Sequence, residues 1–261
     1  MSLEHRPIEE TVQITQVDTK MKQPSWLDIS LLILIPIMGM ALGVGIAVLL
    51  NINQANYSST LIVNLFFLAA CIGLLRVFNF SREDLGLNVI KEKTRWHVIA
   101  SLAIFGFYLL FYISVIHISS LKPISANTVW GLLTYLVVAV TEEIYFRGML
   151  YGFFEKRFSA KTALIFSSLL FGIFHARQGL EGILSRTVTG WLWGSVRYSS
   201  KMIFLLVFPV HFAYNAIWLL FEGNWNNPPV WGIYAVPALE ILLGLAIVIL
   251  HDRRSTGEPR P

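Results

Sequence analysis

Apolar residues fall in eight long runs separated by short polar or basic breaks, at approximately 29–50, 60–79, 96–118, 127–147, 161–176, 182–199, 202–221 and 230–251. A helix needs about 20 mostly apolar residues to cover a hydrocarbon core of ~30 Å, so the pattern predicts an all-α, polytopic integral membrane protein with a bundle of about eight transmembrane helices. The first three runs and the last fit best, whereas 182–199 is interrupted by Arg186, Thr187, Thr189 and Arg197. No internal repeat or long linker divides the chain. Residues 29–251 are therefore read as one membrane-embedded domain, with 1–28 and 252–261 as cytoplasmic tails.

The breaks carry their own information, because short cytoplasmic loops retain Lys and Arg. Arg82, Lys91, Lys93 and Arg95 follow the second run, Lys156, Arg157 and Lys161 follow the fourth, and Arg253, Arg254 and Arg260 follow the last. The intervening loops hold no charge at 51–59, only Lys122 at 119–126 and only Glu222 at 222–229. This alternation places both termini in the cytoplasm. Trp26, Trp96, Trp130, Trp225 and Trp231 fall near run ends, as an interfacial aromatic belt requires.

Composition agrees with lipid as the solvent: 55% of residues are hydrophobic, 14% are charged and the mean hydropathy is +0.62. The net charge of +4 is spread between apolar runs rather than gathered in a patch, which argues against nucleic acid as a partner. Cys71, the one cysteine, is expected to be a packed core thiol. Residues 1–27 are polar and mixed in charge, unlike a cleavable signal or an organelle transit peptide, so a prokaryotic plasma membrane is the expected location.

Ionisable groups deep in a span are costly and mark function by default. Here they recur in Thr141-Glu142-Glu143-Ile144-Tyr145-Phe146-Arg147, in Phe171-Gly172-Ile173-Phe174-His175 and in His211-Phe212-Ala213-Tyr214-Asn215. Residues four apart share a helix face. Glu143 can therefore pair with Arg147, leaving Glu142 turned elsewhere and free to act as a base, while His211 and Asn215 point to one place and Phe171 shares a face with His175. Such a set can run water-mediated peptide hydrolysis, with a carboxylate taking a proton and neighbouring donors holding the oxyanion. Glu142, His175 and His211 also match a common catalytic zinc set, and the sequence leaves metal-bound and metal-free versions open. The four aspartates lie outside the runs or at their ends, and neither H-E-x-x-H nor G-x-S-x-G occurs.

Taken together, E-E-x-x-x-R, F-x-x-x-H and H-x-x-x-N over about residues 125–220 resemble the CAAX protease and bacteriocin-processing family, the group that includes the Ras-converting CAAX prenyl endopeptidase. That resemblance implies an eight-helix bundle with a conical cavity open toward the cytoplasm. It also implies Glu142 as general base, His175 holding the water, His211 and Asn215 as the oxyanion site, and Glu143 and Arg147 in support. Gly190-Trp191-Leu192-Trp193-Gly194 matches the glycine-containing stretch found between the second and third motifs. The substrate does not transfer with the motifs; the expected activity is an endopeptidase that cuts a membrane-associated peptide or protein near the cytoplasmic face, at the C-terminus of a lipidated substrate such as a prenylated CAAX protein or in a small exported peptide.

A rival reading is a non-catalytic immunity or scaffold protein, or a proton-coupled transporter using the same buried groups as a relay. Glu240, in the last run, is expected to make a polar helix contact, and His97, His117 and His251 to sit at the interface. At ~1.5 Å per residue, His175 lies about 21 Å beyond Lys161 but His211 only about 15 Å beyond Lys201, a mismatch that tilt or a recessed helix start must reconcile.

Overall fold

The structure, a computed structural model, describes residues 25–53, 56–224 and 229–256. Most of the expected N-terminal tail, Trp225, and the C-terminal residues from 257 onward lie outside the described residues. The order is α1 (Trp26–Leu49), α2 (Tyr57–Val77), α3 (Lys91–Ser114), α4 (Ala126–Glu142), a π-helical segment (Glu143–Leu150), α5 (Tyr151–Arg157), α6 (Ala160–Phe174), α7 (Gly179–Ser200), a second π-helical segment (Leu206–His211), α8 (Phe212–Leu220) and α9 (Val230–Thr256).

Helix starts follow local chemistry. Ser25 with Asp28, and Ser125 with Thr128, form reciprocal capping boxes, and the side chains of Asn56 and Ser159 accept from Ser58 N and Thr162 N. Each satisfies backbone donors that a helix cannot pair internally.

The protein is an all-α polytopic membrane protein. Among the described residues, five helices are long and apolar enough to cross a membrane: Trp26–Leu49, Tyr57–Val77, Lys91–Ser114, Ala126–Arg157 and Val230–Arg254. The pair Ala160–Phe174 and Ala176–Ser200, bent by 56°, makes a sixth if taken as one span, and Leu206–Leu220 is shorter. The uniform set of about eight spans expected from hydropathy thus becomes five long helices, one bent pair and one short helix. Hydropathy registers an apolar run but is blind to a bend or a break inside it. Leu34, Met38 and Leu42 of α1 and Leu239, Leu242 and Leu245 of α9 point outward, an arrangement that suits acyl chains rather than water.

The centre of the bundle is the segment from Glu143 to Phe154. Tyr145, Met149, Leu150, Tyr151 and Phe153 are 0% exposed, as expected of a helix apolar on every side. Phe67, Cys71 and Leu74 from α2, Ile104 from α3 and Val196 from α7 are buried with it. Cys71 is the packed core thiol expected from sequence. Helices α6 and α7 pack closely because glycines face their neighbours: a Cβ on Gly172 would collide with Thr187 Oγ1 and lie 2.5 Å from the Ile183 carbonyl oxygen, and one on Gly190 would lie 3.0 Å from Ser168 Cα.

One end of the bundle is basic and tied by polar contacts. Lys156 pairs with Asp84 at 2.6 Å, Lys161 with Asp252 at 2.9 Å, and Lys201 with Glu155. Arg197, 1% exposed, donates to the backbone oxygens of Arg147 and Asp84 at 3.1 and 2.9 Å, giving the π segment a carbonyl partner. His97 lies inside this end and not at the interface: it is 0% exposed, with Nδ1 2.9 Å from Ser200 Oγ and Nε2 accepting from Leu205 N. Its two partners lie more than a hundred residues away, beyond the reach of a periodicity argument. The opposite end is joined by backbone bonds between 119–122 and 220–222 and by the Trp130 indole donating to Ser58.

Candidate active site

Three helix breaks deliver the polar motifs to one place. Glu142 is the last residue of α4, directly before the backbone widens into the π segment at Glu143. Such wide turns are rare and cluster at functional positions. His175 caps the C-terminus of α6 at the 56° bend. His211 closes the second π segment, whose interior holds Pro209 and an extended residue, Phe208.

That last detail reconciles the depth mismatch. Residues 201–203 are non-helical and Phe208 is extended, and an extended residue advances roughly 3.3 Å rather than the ~1.5 Å of a helix. The chain from Lys201 to His211 therefore climbs faster than a helical count allows.

Glu142, Phe171, His175, His211 and Asn215 all line one cavity of about 270 Å³. The Phe171 and His175 rings lie 4.7 Å apart, edge to face. His211 Nε2 is 3.7 Å from Glu142 Oε2, within ion-pair range but too far for a direct hydrogen bond. Glu142 keeps 15% side-chain exposure, whereas its neighbour Glu143 has none.

Glu143 and Arg147 form the buried support. Glu143 Oε1 accepts from Arg147 Nη1 at 3.0 Å and from His211 Nδ1 at 2.9 Å. The i,i+4 pairing survives the wider π turn, and the guanidinium is held over the Phe171 ring at 4.2 Å and the Trp193 ring at 5.2 Å. One carboxylate oxygen thereby fixes both an arginine and a histidine. Because a carboxylate only accepts, His211 Nδ1 carries the proton in this contact. His175 Nδ1 lies 2.7 Å from the Phe171 carbonyl oxygen, which likewise only accepts. Both imidazoles thus have their Nδ1 committed to an oxygen, leaving Nε2 of each for the cavity.

Zinc was one chemistry the sequence left open. Anchoring of Nδ1 by carboxylate or carbonyl is the usual orientation of a metal-binding histidine. Among the described residues, however, no three His, Cys, Asp or Glu side chains are grouped closely enough to hold an ion. Glu142, His175 and His211 share the cavity, and they are the residues that would hold such an ion.

The same wall includes Thr60 and Asn64 of α2, Tyr135 of α4, Gln178 and Arg186 near the start of α7, and Trp218 of α8, none of which the motifs single out. Asn64, an amide in the middle of an apolar run, was the available signal. Arg186, which weakens its run by hydropathy, donates to Tyr214 Oη at 2.9 Å and contacts Gln178.

Glu240 lies outside this cavity, in a second one of about 530 Å³ that shares only Gln178 and Arg186 with the first. Its carboxylate accepts from Tyr108 Oη and, at 3.1 Å, from Thr189 Oγ1, and Tyr108 Oη in turn accepts from the Trp193 indole at 3.1 Å. It makes the polar helix contact expected from the sequence.

Among known proteins, no curated protein and no solved structure matches the chain. A family model does match, over residues 123–217, and that stretch contains all three polar motifs. Residues 123–217 are therefore similar to the family described as type II CAAX prenyl endopeptidase, Rce1-like.

Proposed function

We propose that the protein is a glutamate-dependent intramembrane endopeptidase that hydrolyses a peptide bond of a membrane-associated substrate. The observation that carries this reading is the convergence of Glu142, His175, His211 and Asn215 on one cavity, with Glu142 partly open to it and His211 anchored from behind by the buried Glu143.

In this mechanism Glu142 removes a proton from a water held also by His175 Nε2. The resulting hydroxide forms the new C–O bond at the scissile carbonyl. The negative charge passes to the carbonyl oxygen, which accepts from the Asn215 amide and from Nε2–H of a protonated His211, whose second proton goes to Glu143. Collapse of the intermediate breaks the C–N bond, and Glu142 returns its proton to the departing amine. Arg147 acts as a positioning residue: it balances Glu143 and so holds His211.

The bent pair and the short Leu206–Leu220 helix are read as three further crossings, which gives eight in all and a single membrane-embedded domain over 29–251. Substrates to be tried include prenylated CAAX peptides and small exported peptides.

The test is cleavage of a quenched fluorescent peptide library, farnesylated CAAX peptides included, by detergent-solubilised protein beside its Glu142→Gln variant. Loss of the base should lower kcat by about 10²–10⁴-fold with little change in substrate binding. Equal turnover by the two proteins would remove Glu142 from the chemistry. Chelation followed by zinc add-back, run on the same library, decides the metal requirement separately.

A further inference from the structure

We propose that the Glu142 cavity opens on the membrane face opposite the basic loops, so that its substrate is an extracytoplasmic segment of an exported or membrane-anchored protein. This rests on the peptidase reading for the word substrate, but the orientation stands on its own observations. It reverses the cytoplasmic opening that the family resemblance implied.

The first observation is which end is basic. Lys91, Arg157, Lys161, Lys201, Arg253 and Arg254 lie at the end where α3, α6 and the second π segment begin and where α5, α7 and α9 finish. The ion pairs Lys156–Asp84 and Lys161–Asp252 bring these termini together. At the other end the described loops carry Lys122 and Arg177. Retention of Lys and Arg in cytoplasmic loops makes the first end cytoplasmic.

The second observation is the packing on either side of Glu142. Toward the basic end the chain continues into Tyr145, Phe146, Met149, Leu150 and Phe153, none more than 1% exposed. That layer is buried and apolar. Toward the other end the cavity wall consists of Thr60, in the first turn of α2, Gln178, at the start of α7, and Trp218, two residues before α8 ends. These residues all lie close to helix termini at the less basic face.

The third observation is independent of the catalytic motifs. The larger, 530 Å³ cavity is bounded by Ile116, just beyond the end of α3, by Gly182 near the start of α7 and by Gly232 near the start of α9, so it lies in the same half. Both cavities thus lie toward the less basic end, with the buried layer from Tyr145 to Phe153 between them and the basic end. Access for peptide and water is therefore assigned to the less basic face.

Variants of the full chain that each add one cysteine, expressed in bacterial cells beside the parent, test the orientation, because the native Cys71 is 0% exposed and a poor target in the folded protein. Ser120→Cys reports the less basic face, Thr60→Cys the cavity and Glu92→Cys the basic face. With a membrane-impermeant maleimide, the first two should label in intact cells to the extent seen after lysis, and the third only after lysis. Labelling of Glu92→Cys in intact cells, with the other two protected until lysis, overturns the proposal. If Thr60→Cys does not fold, Gln178→Cys probes the same cavity. Sealed proteoliposomes then separate the two readings. Cleavage of an externally added library peptide should track the fraction with Ser120 outward, and tracking the Glu92 face overturns the inference. Cleavage independent of Glu142 refutes the catalytic assignment while leaving the labelling result intact.

Discussion

Replacing Arg147 with Met tests whether the buried ion pair organises the site. Arg147 is 1% exposed and Glu143 is 0% exposed, and their charged atoms are 3.0 Å apart. At that separation an effective dielectric of about 20 gives an attraction of roughly 5 kcal/mol, most of which offsets the cost of having buried both groups. Removing one partner strands the other, and such losses run to about 3–5 kcal/mol. The guanidinium also loses its seat over Phe171, a contact of about 1–2 kcal/mol when desolvated.

For a chain of this size, ~3–5 kcal/mol corresponds to a fall in Tm of roughly 6–20 °C. The molecule supplies its own reporter, since Cys71 is the only cysteine and is fully buried: a thiol-reactive fluorophore reads unfolding directly in detergent. The double variant Glu143→Gln with Arg147→Met removes the stranded charge yet leaves an amide oxygen to accept from His211 Nδ1. It should recover at least about 2 kcal/mol of the loss, the size of coupling seen between contacting groups. A single variant within about 2 °C of wild type, or a double variant no more stable than the single, refutes this account of the pair.

Further outcomes follow from the same geometry. Gly172→Ala should cost about 1–3 kcal/mol by overpacking against Ile183 and Thr187, and should also lower kcat because α6 carries His175; unchanged kcat and Tm would show that the helices yield freely. Tyr108→Phe deprives the Trp193 indole and Glu240 of a shared partner, and unfolding measurements should register a loss of about 1–3 kcal/mol. Asp84 supplies a pH test. Burial pushes its carboxyl up, but the Lys156 ammonium and the Ser81 hydrogen bonds outweigh this and hold it below the usual carboxylate range. Its stabilisation is therefore complete above the unfolded value of about 3.9 and fades as pH falls through the lower folded value. The Tm gap between wild type and Asp84→Asn should narrow below about pH 4, and a gap constant from pH 3 to 6 contradicts the assignment.

The sequence by itself determined that the chain is helical and lies in a membrane, because apolar runs of spanning length have few other stable homes. It also singled out Glu142, His175, His211 and Asn215 as candidate site residues, because polar groups are costly in a span, and the fold brings the four to one cavity. The Glu143–Arg147 pair was legible from four-residue spacing alone. Interactions within one helix repeat with a short period, and a short period can be read from a string.

Tertiary structure decided everything that depends on breaks and on partners distant in sequence. The π segment after Glu142, the bend at His175 and the extended Phe208 leave little trace in hydropathy, yet they bring the motifs to common depth. The Glu143–His211 contact spans 68 residues, and the contacts of His97 and Glu240 span more than a hundred in most cases. Where the two cavities lie relative to the basic end was likewise unavailable from the motifs. It depends on how side chains of separate helices fill space, and close packing is a property of the assembled interior rather than of any one segment.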